Sequence, residues 1–242
     1  MIEEEYYRQE RLEKNNWWFA TKTNRLADVL RTFLGNTENN ILEIGCGTGT
    51  CIPLLQKYGR VVSIDKSPHA INVCRQKKFH PLLMNVEDDL PFERASFDVV
   101  VLLDVIEHIK KDVSVLEKIN ELLKQGGILL LTTSAFKHLW SEHDGDVQHF
   151  RRYTKKNLAA KLKNTGYRVV RQNYTCALLY FPLLFLLILS RLRVFKKKIS
   201  TEMLETGALM NSLLTILFKL EIKLSRFVSF PFGTGIISIA TK

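Results

Sequence analysis

The chain has 242 residues, 46% of them apolar and 25% charged, with a formal charge of +10. That length buries a full core as one domain, and no internal repeat or low-complexity linker divides it. The charge is uneven: residues 1–150 hold 18 Lys/Arg against 22 Asp/Glu, and residues 151–242 hold 17 Lys/Arg against 3 Glu. A basic half of this kind suits an anionic partner, either nucleic acid or an acidic membrane surface. The four cysteines, Cys46, Cys51, Cys74 and Cys176, form no CxxC or metal-ligand spacing. No metal and a reducing, cytosolic setting are therefore expected. The first ten residues are acidic and lack an apolar stretch, so no signal peptide is expected.

Tyr6 to Phe19 reads as a helix ending in the aromatic cluster Trp17, Trp18 and Phe19. Lys22 to Leu34 reads as a second helix, stopped by Gly35. Ile41, Leu42 and Ile44 then form an apolar strand that runs into G-x-G-x-G at Gly45, Gly47 and Gly49. Glycines there let a ligand approach bare backbone. A helix from Thr50 to Tyr58, with Pro53 in its first turn, completes a strand–turn–helix corner of the nucleotide-binding type. The second strand, Val61 to Asp65, also ends in an acid. Asp65 lies 16 residues after Gly49, near the spacing of a carboxylate that grips ribose hydroxyls. No third glycine stands where a pyrophosphate-binding helix needs one, which favours a ligand without phosphates.

Pro68 to Lys77 is predicted helical and Pro81 to Met84 a short strand. Asp98 to Leu103 is the fourth strand and Val113 to Leu123 a helix. Glu107 and His108 read as helix-cap residues. Gly126 and Gly127 turn the chain into the strand Ile128 to Thr133. Thr154 caps a helix that Gly166 closes. Arg168 to Tyr174 and Gly235 to Thr241 are the sixth and seventh strands.

The E-x-G-x-G-x-G corner, the strand ending in Asp, LPF, SFDVV and QGGILLLT together resemble the class I S-adenosylmethionine-dependent methyltransferases. The resemblance covers about residues 41–166. It implies an α/β, Rossmann-like seven-stranded sheet of order 3-2-1-4-5-7-6, helices on both faces, and the cofactor at the carboxyl ends of the first strands. It also implies site roles. Glu43 pairs with the cofactor's amino group, and Gly45, Cys46, Gly47 and Gly49 give backbone approach. Asp65 accepts the ribose hydroxyls and Lys66 lies beside the adenine. Asn85 takes the place of the family's adenine-binding Asp, with Val86 beside it, and Leu103 ends the fourth strand at the site.

In the resembled fold a short connection joins strands six and seven. Here residues 175–230 intervene, so the methyltransferase domain comprises 1–174 plus 231–242. The insert opens with an uncharged run, Thr175 to Ser190, bracketed by Arg171 and Arg191. Arg193, Lys196, Lys197 and Lys198 follow. In Ala208 to Phe230, Leu209, Leu213, Leu217, Leu220 and Leu224 share one helical stripe, and Lys219, Lys223 and Arg226 fall on another face. The insert fits a core extension, a dimer surface or a membrane element. The apolar run is shorter than the ~20 residues of a clean span and contains Pro182. We read it as a monotopic anchor whose basic helix lies at the headgroups. Nucleic acid is disfavoured because the basic residues alternate with long aliphatics rather than exposed aromatics.

The loop WSEHDGDVQHFRRYT, Trp140 to Thr154, faces the site and concentrates polar chemistry. Its HD…HxRRYT pattern resembles a membrane-associated bacterial and archaeal branch of the same methyltransferases. His149 is the candidate general base, His143 the second, and Asp144 the group that orients it. Trp140, Arg151, Arg152 and Tyr153 are the candidate substrate contacts, the arginines suiting a phosphate or carboxylate. Trp17 to Phe19 form either a cover over the cofactor or a plain core cluster. The expected function is methylation of an amphiphile (a lipid, quinone precursor or polyprenyl-linked sugar) at the cytoplasmic face of the membrane. The alternative is a soluble or homodimeric small-molecule methyltransferase whose insert is a lid.

Overall fold

The computed structural model describes residues 10–13, 16–35, 38–192 and 206–242. A helix, α1 (Trp17–Phe33), precedes β1 (Asn39–Ile44), a single turn α2 (Ile52–Leu55), β2 (Gly59–Asp65), α3 (Pro68–Gln76), β3 (Leu82–Leu83) and β4 (Phe97–Leu103). Then come α4 (Asp112–Leu122), β5 (Leu123–Ser134), α5 (Glu142–Asp146), α6 (Lys155–Asn164) and β6 (Arg168–Thr175). The chain closes with α7 (Tyr180–Arg191), α8 (Ala208–Leu224) and β7 (Gly235–Thr241). The sheet order is β3-β2-β1-β4-β5-β7-β6, as expected, with β7 antiparallel to both neighbours.

The unbroken apolar runs of the central strands follow from burial on both faces. Val99 and Val101 pack on the α1 side with Leu26, Leu30 and Leu55. Val100 and Leu102 pack on the opposite side with Leu116, Ile119, Leu158 and Leu162. Period two thus deals alternate residues of one strand to two cores. The helix α6 starts at a reciprocal capping box between Thr154 and Asn157 and ends before Gly166 at φ +86.

Four expectations are corrected. The aromatic cluster does not end a helix but begins one. Asn16 caps α1 by accepting the Trp18 N–H, and α1 then runs unbroken past Lys22; the reading of Tyr6 to Gln9 lies outside the described residues. The helix after the glycines is one turn, because the chain must already enter β2 at Gly59. Gly126 and Gly127 do not precede β5 but form a bulge within it, where the register with β4 shifts between Phe97 and Val99. The insert is also more than an appendage. Phe218 of α8 stacks on Trp17 with centroids 5.3 Å apart, and Arg25 of α1 pairs with buried Glu221 at 3.4 Å. Among the described residues no helix is long and apolar enough to cross a membrane. Arg193, Lys196, Lys197 and Lys198 lie outside the described residues.

Candidate active site

A cavity of about 560 Å³ lies at the carboxyl ends of the strands. Its glycine end is lined by Gly45 and Gly47, Asp65 and Lys66, Asn85 and Val86, and Leu103. Its other end is lined by His108, His143 and His149, by Trp17 and Trp18, and by Leu179, Pro182, Leu183 and Leu186 from the insert. One cavity therefore joins the cofactor corner to the polar loop and the insert.

At the glycine end Asp65 closes the corner. Its carboxylate accepts the N–H of Gly47 at 2.8 Å and of Ser67 at 2.9 Å. Burial raises its pKa and these two backbone bonds oppose the rise. Each carboxylate oxygen keeps a lone pair for a hydroxyl donor. A Cβ built on Gly47, at φ +55, meets nothing within 4 Å, so bare backbone faces open space there. Gly45 is needed for another reason: its Cβ would lie 2.5 Å from Val105 Cγ2. Lys77 braces the loop by donating to the Thr48 carbonyl at 2.9 Å and to Glu13 at 3.0 Å.

Three of the expected cofactor contacts lie elsewhere. Gly49 does not line the cavity; its Cβ would meet Cys74 Sγ at 3.0 Å and Phe79 at 3.1 Å, so it is a packing glycine. Cys46 turns into the same small cluster with Ile52, Cys74 and Phe79. Glu43 is buried under the corner, where it accepts the Ser63 hydroxyl at 2.7 Å. Burial pushes its carboxyl up from 4.5 to about 7, the Ser63 bond opposing and Asp65 adding to the rise.

Glu43 therefore binds more protons folded than unfolded, and its contribution to stability falls as pH rises from 4.5 to about 7. Glu43→Gln is expected to remove that loss, on the order of 3 kcal/mol at most. Urea midpoints at about pH 5 and about pH 8 check it: the wild-type drop should shrink in the variant. Equal drops would mean that Glu43 is ionised in the folded chain.

At the other end the loop after β5 is organised by Asp144. This fully buried carboxylate receives His149 Nδ1 at 2.7 Å, Arg152 Nε at 2.7 Å, Arg152 Nη2 at 3.0 Å and the Ser141 N–H at 2.8 Å. Burial alone would raise its pKa, but the His149 and Arg152 bonds outweigh it and hold the acid below its usual range. Since ionised Asp144 can only accept, His149 carries a proton on Nδ1, and in the neutral ring Nε2 is the lone-pair nitrogen. His143 also lines the cavity.

The expected substrate contacts are corrected in part. Arg152 reaches the cavity wall, but its guanidinium is committed to Asp144 and to the Ala135 carbonyl. Arg151 turns away to pair with Asp112 at 2.8 Å. Tyr153 is buried in the core and donates its hydroxyl to Asp112 at 2.7 Å. Trp140 is absent from the cavity wall, its carbonyl accepting from Arg191 of α7 at 3.2 Å. The physical reason is pairing: Tyr153 bridges to Ala135 as a short strand, so successive side chains point to opposite sides.

Other groups join the site. Glu107, read as a cap residue, is fully buried and accepts from the Thr133 hydroxyl at 2.9 Å and the Ser134 N–H at 3.0 Å. Burial, and next Asp104, raise its pKa. The His108 ring lies 4.6 Å from that of His149. Burial and then His149 push it down to about 3, so it stays neutral. Lys22 of α1 pairs with Asp104 at the end of β4, whose carboxylate also accepts the Thr132 hydroxyl at 2.9 Å. Burial pushes the Cys51 thiol up to about 12 and Cys176 up to about 11, so neither offers a thiolate. Asp104, Phe136 and Cys176, at the ends of β4, β5 and β6, all hold φ near +55. These backbones are strained for residues with a side chain.

A family model for a methyltransferase domain matches residues 18–172. The ubiquinone biosynthesis O-methyltransferase of Xanthomonas campestris pv. campestris (strain B100) is 25% identical over 134 residues, covering 49% of this chain and 56% of that protein. Its counterpart from Xanthomonas euvesicatoria pv. vesicatoria (strain 85-10) is 28% identical over 137 residues with the same coverage. The chain thus spans about half the length of the curated relatives it matches. Among solved structures, a chain of the Haloferax volcanii complex between the Trm112 methyltransferase activator and a methyltransferase superposes with TM-score 0.62 at 16% identity, covering 97% of this chain and 93% of that one. A SAM-dependent methyltransferase from Archaeoglobus fulgidus gives 0.58 at 17% identity, with 90% and 94% covered. Family and fold agree: this chain belongs to the methyltransferase-domain family and shares the fold of the S-adenosylmethionine-dependent methyltransferase from Archaeoglobus fulgidus.

Proposed function

We propose that the chain methylates a hydroxyl oxygen of an amphiphilic acceptor, a quinone precursor, polyprenyl-linked sugar or lipid, at the surface of an acidic membrane on the cytoplasmic side. The observation that carries this reading is α7, which is apolar on both faces. Its inner residues Pro182, Leu183 and Leu186 line the cavity. Its outer residues Phe181, Phe185 and Ile188 are 45–61% exposed. A helix apolar all round belongs in a protein interior or in lipid. The stripe Leu209, Leu213, Leu217, Leu220 and Leu224 on α8 is exposed as well, with Lys219 and Lys223 beside it. The relatives named for O-methyl transfer in ubiquinone biosynthesis support an oxygen acceptor with an apolar tail.

The residues fit the cofactor. Gly45 and Gly47 offer backbone to its amino-acid part, Asp65 accepts from its ribose hydroxyls, and Asn85 and Val86 flank its adenine. Lys66 and Leu103 complete that wall. Bound S-adenosylmethionine supplies an electrophilic methyl group on a sulfonium. His149 takes the acceptor proton on Nε2 while Asp144 fixes its tautomer and stabilises the imidazolium. Trp17, Trp18 and the insert exclude water from the cavity and hold the acceptor in line.

Flotation with vesicles tests the membrane reading. The protein is expected to bind acidic vesicles better than neutral ones and to lose binding with added salt. Replacing both Lys219 and Lys223 by Gln should weaken binding to acidic vesicles roughly 30-fold, at about 1 kcal/mol per basic side chain. A protein that ignores every vesicle and runs as a tight dimer instead has its apolar faces covered by a second copy, and the insert is then a lid.

A further inference from the structure

Lys22 is a cation in the wall of a largely apolar cavity. Its side chain is 35% exposed, and it lines the cavity. Its ammonium lies 5.7 Å from the Trp18 ring centroid and pairs with Asp104. Asp104 does not depend on Lys22 for a partner: Thr132 donates to the other carboxylate oxygen, and the Asp104 N–H is bonded to Thr132 at 3.0 Å. Nor does α1 depend on Lys22 for attachment. Leu26, Val29 and Leu30 bury one side of it, Arg25 pairs with Glu221, and Asp28 pairs with Arg226. A partly exposed ion pair is worth little as a mere clamp. An ammonium carries three donor hydrogens, so one carboxylate oxygen leaves it room for a second anion.

We propose that Lys22 receives the acceptor oxygen as it loses its proton, so that the acceptor is a weakly acidic hydroxyl, a phenol or enol, rather than a simple alcohol. The inference rests on the hydroxyl-acceptor reading above. The acceptor O–H bond breaks and its proton passes to His149 Nε2. The oxygen's electron pair forms the new O–CH3 bond as the sulfonium C–S bond breaks, leaving a neutral thioether. Between these events the negative charge is shared by Lys22, which Asp104 holds in place. The other titratable groups around Lys22 set the balance. Asp104 directly follows β4 and Glu107 lies in the turn after it, the neutral Cys51 thiol follows the glycine loop, and Arg25 comes from its own helix, already paired with Glu221. Buried Glu107 accepts from Thr133 and Ser134, and Asp104 is the carboxylate paired with the ammonium.

The test uses para-nitrophenol with the full chain saturated with S-adenosylhomocysteine, reading ionisation of the bound phenol by absorbance. In the wild type the phenol's pKa is expected to fall by about 1–3 units, the effect of an opposite charge a few ångströms away. Lys22→Met should abolish the fall and Lys22→Arg should keep part of it. Asp104→Asn should deepen it, since Lys22 then has no competing anion. Calorimetry with S-adenosylhomocysteine shows which variants are folded, and Asp104→Asn against wild type decides the matter if Lys22→Met is not. A wild type that neither binds nor ionises the phenol overturns the proposal. So does Lys22→Met with an unchanged shift, or Asp104→Asn with a weaker one. An enzyme that ionises the phenol through Lys22 yet methylates only amines or thiols keeps this assignment and loses the hydroxyl reading.

Discussion

Replacing His149 by alanine is expected to lower turnover by roughly 10²–10⁴-fold while leaving cofactor affinity intact. On the proposed mechanism the loss is that of a base already in position. His149 lines the cavity, Asp144 at 2.7 Å holds its Nδ1, and Nε2 remains for the acceptor. The cofactor side is untouched because Asp65, Gly45 and Gly47 hang from β1 and β2, while His149 sits in the loop after β5. Single-turnover rates at saturating cofactor, with calorimetry beside them, separate the two terms. Because a base acts only on a protonated acceptor, the defect should shrink with acceptors of lower pKa. Turnover within a few-fold of wild type across acceptors of every pKa would make His149 a structural residue.

Asp144→Ala is expected to destabilise the fold by about 3–5 kcal/mol, the cost of leaving a buried charge without its partner. Arg152 would retain only the Ala135 carbonyl, and the Ser141 N–H at the start of α5 would lose its acceptor. The melting temperature should fall by roughly 10 °C, at about 2–4 °C per kcal/mol for a chain of this size. The effect has a defined pH dependence. The Asp144 pKa is lowered on folding, so its contribution is complete above the usual carboxylate range and is lost as pH falls below it. Melting curves of wild type and variant should therefore converge in acid. Curves that differ by less than about 1 kcal/mol at neutral pH would show that water replaces the carboxylate at little cost.

The cofactor corner was legible in the sequence because it is local. A strand, a bare-backbone turn and an acid one strand later fix one another over 25 residues, from Ile41 to Asp65. The seventh strand was legible because Gly235 to Thr241 alternates between two apolar cores. What failed was direction. Arg152 and Tyr153 are neighbours in one loop, yet the pairing of Tyr153 with Ala135 sends one toward the cavity and the other into the core. Cys46 and Gly49 belong to a glycine motif, yet Cys74 and Phe79 of the next unit claim them. The Arg25–Glu221 pair joins residues 196 apart in sequence, and no periodicity announces such a partner. Lys22 was hidden for the same reason: on a helical wheel it is one more exposed lysine.

The three strained turns after β4, β5 and β6 set a conflict between durability and use. Each costs on the order of 1–3 kcal/mol that glycine would not incur. A chain shaped by folding alone would put glycine at all three places. This chain instead keeps an acid that faces Lys22, a ring that stacks on Tyr174 at 4.7 Å, and a thiol whose sulfur accepts from Arg25 at 3.8 Å. Breeding the enzyme for heat resistance would therefore tend to select glycine at the rim of its own cavity, and the hardiest descendants would be the poorest catalysts.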